Sequence, residues 1–385
     1  MFEFPKKEKP MLKRIAFVSA FLMTGTAFAA EPSPPTPPRA SVQIAILLDT
    51  SSSMNGLIEQ AKTQLWTVVN EFVSAKKDGK PPSIQVALYE YGKQSLSAEE
   101  GYVRRILPLT DDLDRVSEEL FALKTNGGDE FCGWVIRDAA TKLDWSPSSD
   151  VYKAIFIAGN EPFTQGKVDF RESCKTAAER GVVVNTIFCG ANAEGIQTGW
   201  KDGAILADGR FMSIDQNRKV VEIPTPQDAP IAKLGIDLNK TYLPYGKMGQ
   251  AGLTRQSVQD TNAVNSSQTA IVTRSISKMN AFYCNDGWDL VDAIKTGKCK
   301  LDDLKDDELP ENLRKLDKAA RKAKVDEAVK RRAEIQARIA DLNTKREKFL
   351  AAERAKLTKT NEDSLDKAIV KAIRDQATRH HITFE

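Results

Sequence analysis

The stretch Val42-Gln43-Ile44-Ala45-Ile46-Leu47-Leu48-Asp49-Thr50-Ser51-Ser52-Ser53-Met54 decides how this chain is read. A continuous apolar run ends in an acid and three serines. Such a run, bounded by small polar residues, predicts a strand buried on both faces, as in a parallel sheet. The following loop offers a carboxylate at Asp49 and hydroxyls at Ser51 and Ser53. These are hard oxygen donors that a tight turn can aim at one point. Donors of this kind suit Mg²⁺, Mn²⁺ or Ca²⁺ and do not suit copper or zinc. With no metal, the same residues would serve as a cap for the next helix.

Outward from this stretch, strand and helix patterns alternate. Helical spacing is expected over residues 57–75, 113–123, 131–143, 169–180, 193–207 and 227–238. Strands are expected over 84–91, 102–109, 152–158, 182–188 and 210–214. This alternation predicts βαβ units in an α/β fold: a doubly wound, mostly parallel sheet flanked by helices. Ligands on such sheets bind beyond the carboxyl ends of the strands, where strand order reverses, and Asp49 stands at such an end.

Residues 1–30 have a basic start (Lys6, Lys7, Lys9, Lys13, Arg14), an apolar run and the ending Ala27-Phe28-Ala29-Ala30. This is the pattern of a cleaved secretory signal, too short for a membrane span. The expected location is periplasmic or secreted, with no stable span after cleavage. Removal of the leader leaves 51 basic and 51 acidic residues, so the net charge of +3 belongs to the leader and nucleic-acid binding gains no support. Residues 31–40 form a Pro-rich linker. The main domain is expected over 41–245. Residues 246–300 read as an irregular, mobile insertion and a docked segment, with a helix over 263–281. From 301 to 385 the composition turns to Lys, Arg, Glu, Asp and Ala. There the pattern predicts a long, coiled-coil-like helix over 311–356 with Ile335, Ile339, Leu342 and Phe349 on one stripe, its other faces solvated. Thr360-Asn361-Glu362-Asp363 would cap a last helix lined by Leu365, Ile369, Ile373 and Ala377.

Five cysteines in an exported chain invite disulfides. Cys284–Cys299 and Cys174–Cys189 are the pairings considered, leaving Cys132 free. The two histidines, His380 and His381, lie at the carboxyl end and read as a frayed terminus, which argues against Ser-His-Asp or Cys-His catalysis in the main domain. There is no zinc-spaced Cys/His cluster, no phosphate-binding Gly-Lys loop, and no glycine pattern of a dinucleotide fold after the first strand.

The Asp-x-Ser-x-Ser pattern after a first strand resembles the metal-ion-dependent adhesion site (MIDAS) of von Willebrand factor A domains, whose fold is Rossmann-like. The resemblance covers about residues 41–245. Phrases such as Ala158-Gly159-Asn160-Glu161-Pro162-Phe163 look like those of exported bacterial members. It implies a second loop bringing a Thr or an acid before a helix, here Thr125-Asn126-Gly127-Gly128-Asp129-Glu130, with Asp129 at the ligand position and Thr125 as the competitor. It also implies an acid at a later strand end, where this chain has Asn160, with Glu161 beside it. The implied metal set is therefore Asp49, Ser51, Ser53, Asp129 and Asn160, holding Mg²⁺ or alternatively Mn²⁺ or Ca²⁺. The implied role is a non-enzymatic module that engages an acidic group of a protein partner through the ion, with carboxyl-terminal helices for scaffolding or self-association. Two alternatives stand beside it. One is a metal-dependent hydrolase at Asp49 and Asp129, with Glu130 or Glu161 acting on a bound water; the other is a structural protein with a degenerate site.

Overall fold

Leu47 and Leu48 are neighbours in sequence, both are buried, and they face opposite sides of one sheet. In the computed structural model, which describes residues 41–215, 217, 222–356 and 365–384, this strand is β1 (Val42–Asp49). Ile44 and Leu48 pack into one apolar layer, while Ala45 and Leu47 pack into the other. Burial on both faces is why the stretch is apolar without alternation. The leader, the Pro-rich linker and the Thr360–Asp363 cap lie outside the described residues.

The other strands are β2 (Ala75–Lys77), β3 (Ile84–Tyr91), β4 (Val103–Thr110), β5 (Tyr152–Gly159), β6 (Val183–Cys189), β7 (Phe211–Ile214) and β8 (Ile382–Phe384). The main sheet runs β4-β3-β1-β5-β6-β7, parallel throughout except for β4. The helices are α1 (Asn55–Asn70), α2 (Leu113–Ala122), α3 (Cys132–Lys142), α4 (Phe170–Glu179), α5 (Asn192–Gln197), α6 (Trp200–Leu206), α7 (Asp228–Asn239), α8 (Gly249–Ser266), α9 (Gln268–Ser277), α10 (Leu290–Thr296), α11 (Glu311–Arg314), α12 (Lys318–Lys356) and α13 (Leu365–Ala377). One face of the sheet is covered by α3, α4 and α6; the other by α1, α2, α7, α9 and α13. This is the doubly wound, mostly parallel arrangement that the alternation predicts.

Several local expectations change. The helix expected over 193–207 is two helices, split at Gly199, whose φ of +92° only glycine adopts without strain. The segment after residue 245, expected to be irregular up to a helix over 263–281, holds α8 as well as α9, the latter within the expected helix, and both fold onto α1, α2 and α7. The long carboxyl-terminal helix is present, but it restarts after α11, with Asp317 accepting the Ala320 amide at 2.8 Å as α12 begins. Its apolar residues Ile335 and Ile339 are buried in the main core, and Val325 joins a smaller core with Leu243, Leu290, Leu309 and Leu313. The stripe therefore packs against the chain's own helices, not against a coiled-coil partner.

Two arginines of α12 are buried as well, against the expectation of a solvated charged face. Arg332 donates to Asp289 at 2.7 Å, to Asp292 at 2.9 Å and to the Thr241 carbonyl at 2.7 Å, and its guanidinium lies 4.3 Å from the Tyr242 ring centre. Arg346 donates to Asp228 at 2.9 Å. A second buried cluster joins Arg274 to Asp114 at 2.8 Å and to Asp260, and Lys278 to Asp260 at 2.7 Å.

All five cysteines are free thiols. The expected Cys174–Cys189 pairing fails because Cys174 belongs to the core on one face of the sheet and Cys189 to the core on the other. Cys284 and Cys299 are likewise unbridged, Cys299 packing into the small core around Leu290. The carboxyl end is not frayed within the described residues. β8 pairs antiparallel with β2, the His380 ring lies 5.7 Å from Tyr152, and His380 Nδ1 is 2.9 Å from the Ser149 carbonyl. No helix among the described residues is long and apolar enough to cross a membrane.

Candidate metal centre

β1 lies between two parallel neighbours, β3 and β5, and the chain reaches them by helices on opposite faces of the sheet. That reversal opens a crevice at the carboxyl end of β1. Asp49 projects into it and is completely buried. The Ser51 amide donates to Asp49 Oδ1 at 2.7 Å, while Oδ2 has no hydrogen-bond partner among the described residues. A buried carboxylate oxygen left unpaired carries a full desolvation cost. The turn after Asp49 is short and helical, held by the Met54 amide donating to the Ser51 carbonyl at 3.1 Å and by the buried Met54 side chain. It brings Ser51 Oγ and Ser53 Oγ to 3.1 Å, and Ser53 Oγ to 3.4 Å from Asn160 Oδ1. Thr50 pins the turn to the neighbouring strand, its amide donating to the Tyr91 carbonyl at 2.8 Å and its hydroxyl facing Glu90 at 3.3 Å.

The second loop is tied in by the Asn126 amide, which donates to the Thr50 carbonyl at 2.9 Å. Gly128 has no room for a side chain, since a Cβ there would meet the Gly92 carbonyl at 2.6 Å. This close approach is what the Gly-Gly pair permits. Asp129, the expected ligand, is exposed and has no side-chain bond to any described residue. Thr125 instead bonds Asn55, and the buried acid is the next residue, Glu130, 6% exposed. The Gln165 side chain accepts the Glu130 amide at 2.7 Å. The third loop places Asn160 beside Ser53, as expected, and Glu161 half-buried with its carbonyl accepting from Trp200 Nε1 at 2.8 Å. Gly159 lines the floor, where a Cβ would lie 2.5 Å from Tyr91 Oη and 3.1 Å from Asp49 Oδ2.

The site is electrostatically loaded. Burial pushes Asp49 up to about 7, against the lowering effect of its bonds to Ser51 and with the Glu161 charge adding to the rise. Glu130 is pushed up to about 8, by burial first and then by the charges of Asp49 and Glu161. A divalent cation would relieve this arrangement, and the residues fit one: hard oxygens, an orphaned buried carboxylate oxygen, and glycine-lined walls. Among the described residues no group of three or more His, Cys, Asp or Glu is disposed to hold a metal, so any ion here relies on hydroxyl and amide oxygens too. Glu90 and Gly92, at the end of β3, complete the site and were not singled out from sequence; nothing marks them apart from a strand end.

A family model for the von Willebrand factor type A domain matches residues 43–195. Among solved structures the chain is similar to the conserved hypothetical protein BatB from Bacteroides thetaiotaomicron, at 18% identity, covering 45% of this chain and 90% of that one, with a TM-score of 0.35. It is similar to proximal thread matrix protein 1 from the mussel byssus, solved with a zinc-occupied MIDAS motif, at 17% identity over 45% of this chain and 41% of that one, TM-score 0.35. A third likeness is to the SpRpn10 VWA domain, at 16% identity over 48% of this chain and all of that domain, TM-score 0.35. No curated protein matches the chain. The sheet order and the flanking helices agree with the fold of the von Willebrand factor type A domain, whose model matches residues 43–195.

Proposed function

We propose that this protein is an exported, non-catalytic binding module that takes a divalent cation at the carboxyl end of β1 and uses it to engage an acidic group of a protein partner. Mg²⁺ is the expected ion, with Mn²⁺ or Ca²⁺ in its place. Asp49, Ser51, Ser53 and Asn160 are the proposed donors, completed from the second loop, where Asp129 is the residue the resemblance implies and Glu130 is the buried acid. When bound, the ion supplies positive charge and an open coordination position. The observation that carries the reading is Asp49 Oδ2, a fully buried oxygen with no hydrogen-bond partner among the described residues, beside two serine hydroxyls. Type A domains often mediate protein–protein contact, which supports binding over turnover. Export rests on the leader pattern at residues 1–30 and places the module in the periplasm or outside the cell.

A hydrolase is the second reading, and the raised Glu130 beside the site favours it, since a carboxyl poised near neutral pH can serve as a base. Calorimetry of Mg²⁺, Mn²⁺ and Ca²⁺ binding to wild type and Asp49→Ala tests the main reading. Wild type should bind at least one ion and the variant should lose at least tenfold in affinity. Absence of any heat with wild type refutes the cation reading. Turnover of a phosphoester or peptide panel that depends on the ion would instead favour the hydrolase.

A further inference from the structure

The chain contains two Asn-Gly pairs, Asn55-Gly56 and Asn126-Gly127, and a bond from Thr125 Oγ1 to Asn55 Oδ1 places both beside the crevice. They are held differently. Asn55 is the first residue of α1, with helical backbone angles of φ −51° and ψ −44°. Its side-chain amide is engaged at both ends, Oδ1 by Thr125 and Nδ2 by the Ser52 carbonyl at 3.4 Å. Asn126 is exposed and lies in the stretch 123–130, which is neither helix nor strand. Its side-chain amide has no hydrogen-bond partner among the described residues, and neither has the Gly127 amide nitrogen. The backbone around them is anchored nonetheless: the Asn126 amide donates to the Thr50 carbonyl at 2.9 Å, and the Gly127 carbonyl accepts from the Gln94 amide. In an Asn-Gly pair the second backbone nitrogen reaches the asparagine side chain with no Cβ in its way.

We propose that Asn126-Gly127 is a self-modification site, where Asn126 converts without an enzyme to isoaspartate and aspartate and the second loop opens as a result. The Gly127 nitrogen attacks Asn126 Cγ. A nitrogen–carbon bond forms, the Cγ–Nδ2 bond breaks, and the glycine amide proton leaves with the side-chain nitrogen as ammonia, closing a five-membered imide. Water then adds to one of the two imide carbonyls and opens the ring. One opening gives aspartate; the other gives isoaspartate, whose main chain runs through Cβ and Cγ and is one atom longer. Either product puts a carboxylate on the crevice rim in place of a neutral amide. The longer main chain also has no slack to occupy. Gly128 sits so close to the loop after β3 that a Cβ on it would meet the Gly92 carbonyl and the Gln94 amide nitrogen, each at 2.6 Å. Isoaspartate at position 126 therefore breaks the tie to Thr50 or to Gln94 and shifts Asp129 and Glu130. Asn55 is spared, because imide closure requires a side chain released from its bonds and a ψ outside the helical range.

Peptide mapping by mass spectrometry tests this on the full chain, stored in mildly alkaline and in mildly acid buffer. Residue 126 should gain the mass of an acid over an amide, faster in alkaline buffer because the attacking nitrogen must shed its proton, with isoaspartate the larger product and Asn55 unchanged. Gly127→Ala has room for its methyl group, which would meet nothing nearer than Ser52 Oγ at 3.6 Å. It should fold with the wild-type melting temperature and convert at least about tenfold more slowly. In chelator, aged wild type should melt below fresh wild type. Fresh Asn126→Asp, which carries the charge without the extra atom, should melt with fresh wild type. Residue 126 remaining an amide, or Asn55 converting as fast, overturns the proposal. Conversion that leaves both the melting temperature and Mn²⁺ affinity unchanged overturns it as well, since the loop then has not opened. A fresh wild type that binds no Mn²⁺ removes the cation reading alone, and mass and melting still decide the modification.

Discussion

At Asp49 the cost of the site is concentrated in one side chain. Its carboxyl is pushed from the ordinary 3.8 to about 7 by burial, so the folded protein holds a proton there that the unfolded chain has released. The sign follows directly. Between pH 4 and 7 the native state binds more protons than the unfolded state, so stability falls as pH rises through that window. For chelator-treated protein we expect a lower melting temperature at pH 8 than at pH 5, with a difference on the order of 2–4 kcal/mol in unfolding free energy from this group. With Mn²⁺ present the trend should reverse, because the ion binds the charged carboxylate, and the stabilisation by metal should grow with pH. Melting curves with and without chelator check both. Asp49, Ser51 and Ser53 were legible in the sequence because one turn carries them all. Asn160 was legible because it follows an apolar strand. Which acid of the second loop turns inward was not legible, because after a glycine pair a shift of one residue turns a side chain from solvent to the interior, and Asp129 and Glu130 are both acids.

Between elements, buried arginines join helices that apolar packing alone would leave loosely placed. Arg332 of α12 satisfies Asp289 at the start of α10, Asp292 within it and the Thr241 carbonyl after α7. Breaking such a pair leaves uncompensated buried acids, so Arg332→Ala should cost about 3–5 kcal/mol in urea unfolding. Arg332→Met, which keeps volume, also leaves the acids unpaired and should recover little. The strands β1, β5 and β6 were readable because both-face burial imposes long apolar runs. α8 was not, because its buried face is made of Gly249, Gly252, Gln256, Gln259 and Ala263. Small and amide side chains satisfied by neighbours, such as Gln259 accepting from Ser117 at 2.9 Å, carry no hydrophobic period. The charge of α12 hid its buried arginines for the same reason: composition shows charge and not which charge is enclosed.

At the scale of the whole molecule, the family match ends at residue 195 while the cover of its sheet comes from much later in the chain. Leu365, Ile369 and Ile373 of α13 are buried against α1 and the sheet, and Gln376 accepts from Tyr152 Oη at 2.8 Å. Each such aliphatic group contributes about 1.5–3 kcal/mol by burial. A chain cut after residue 300 should therefore bind a hydrophobic dye strongly and lose cooperative thermal unfolding, measurable by dye fluorescence and circular dichroism. β8 adds a temporal consequence. It pairs with β2 across about 300 residues, with Lys77 opposite Ile382. A ribosome releases α13 and β8 after every other described element that covers the sheet. Until α13 is in place, the strip of sheet that Leu365, Ile369 and Ile373 cover stays open, so this domain completes its core only once a segment far beyond the family match has folded back.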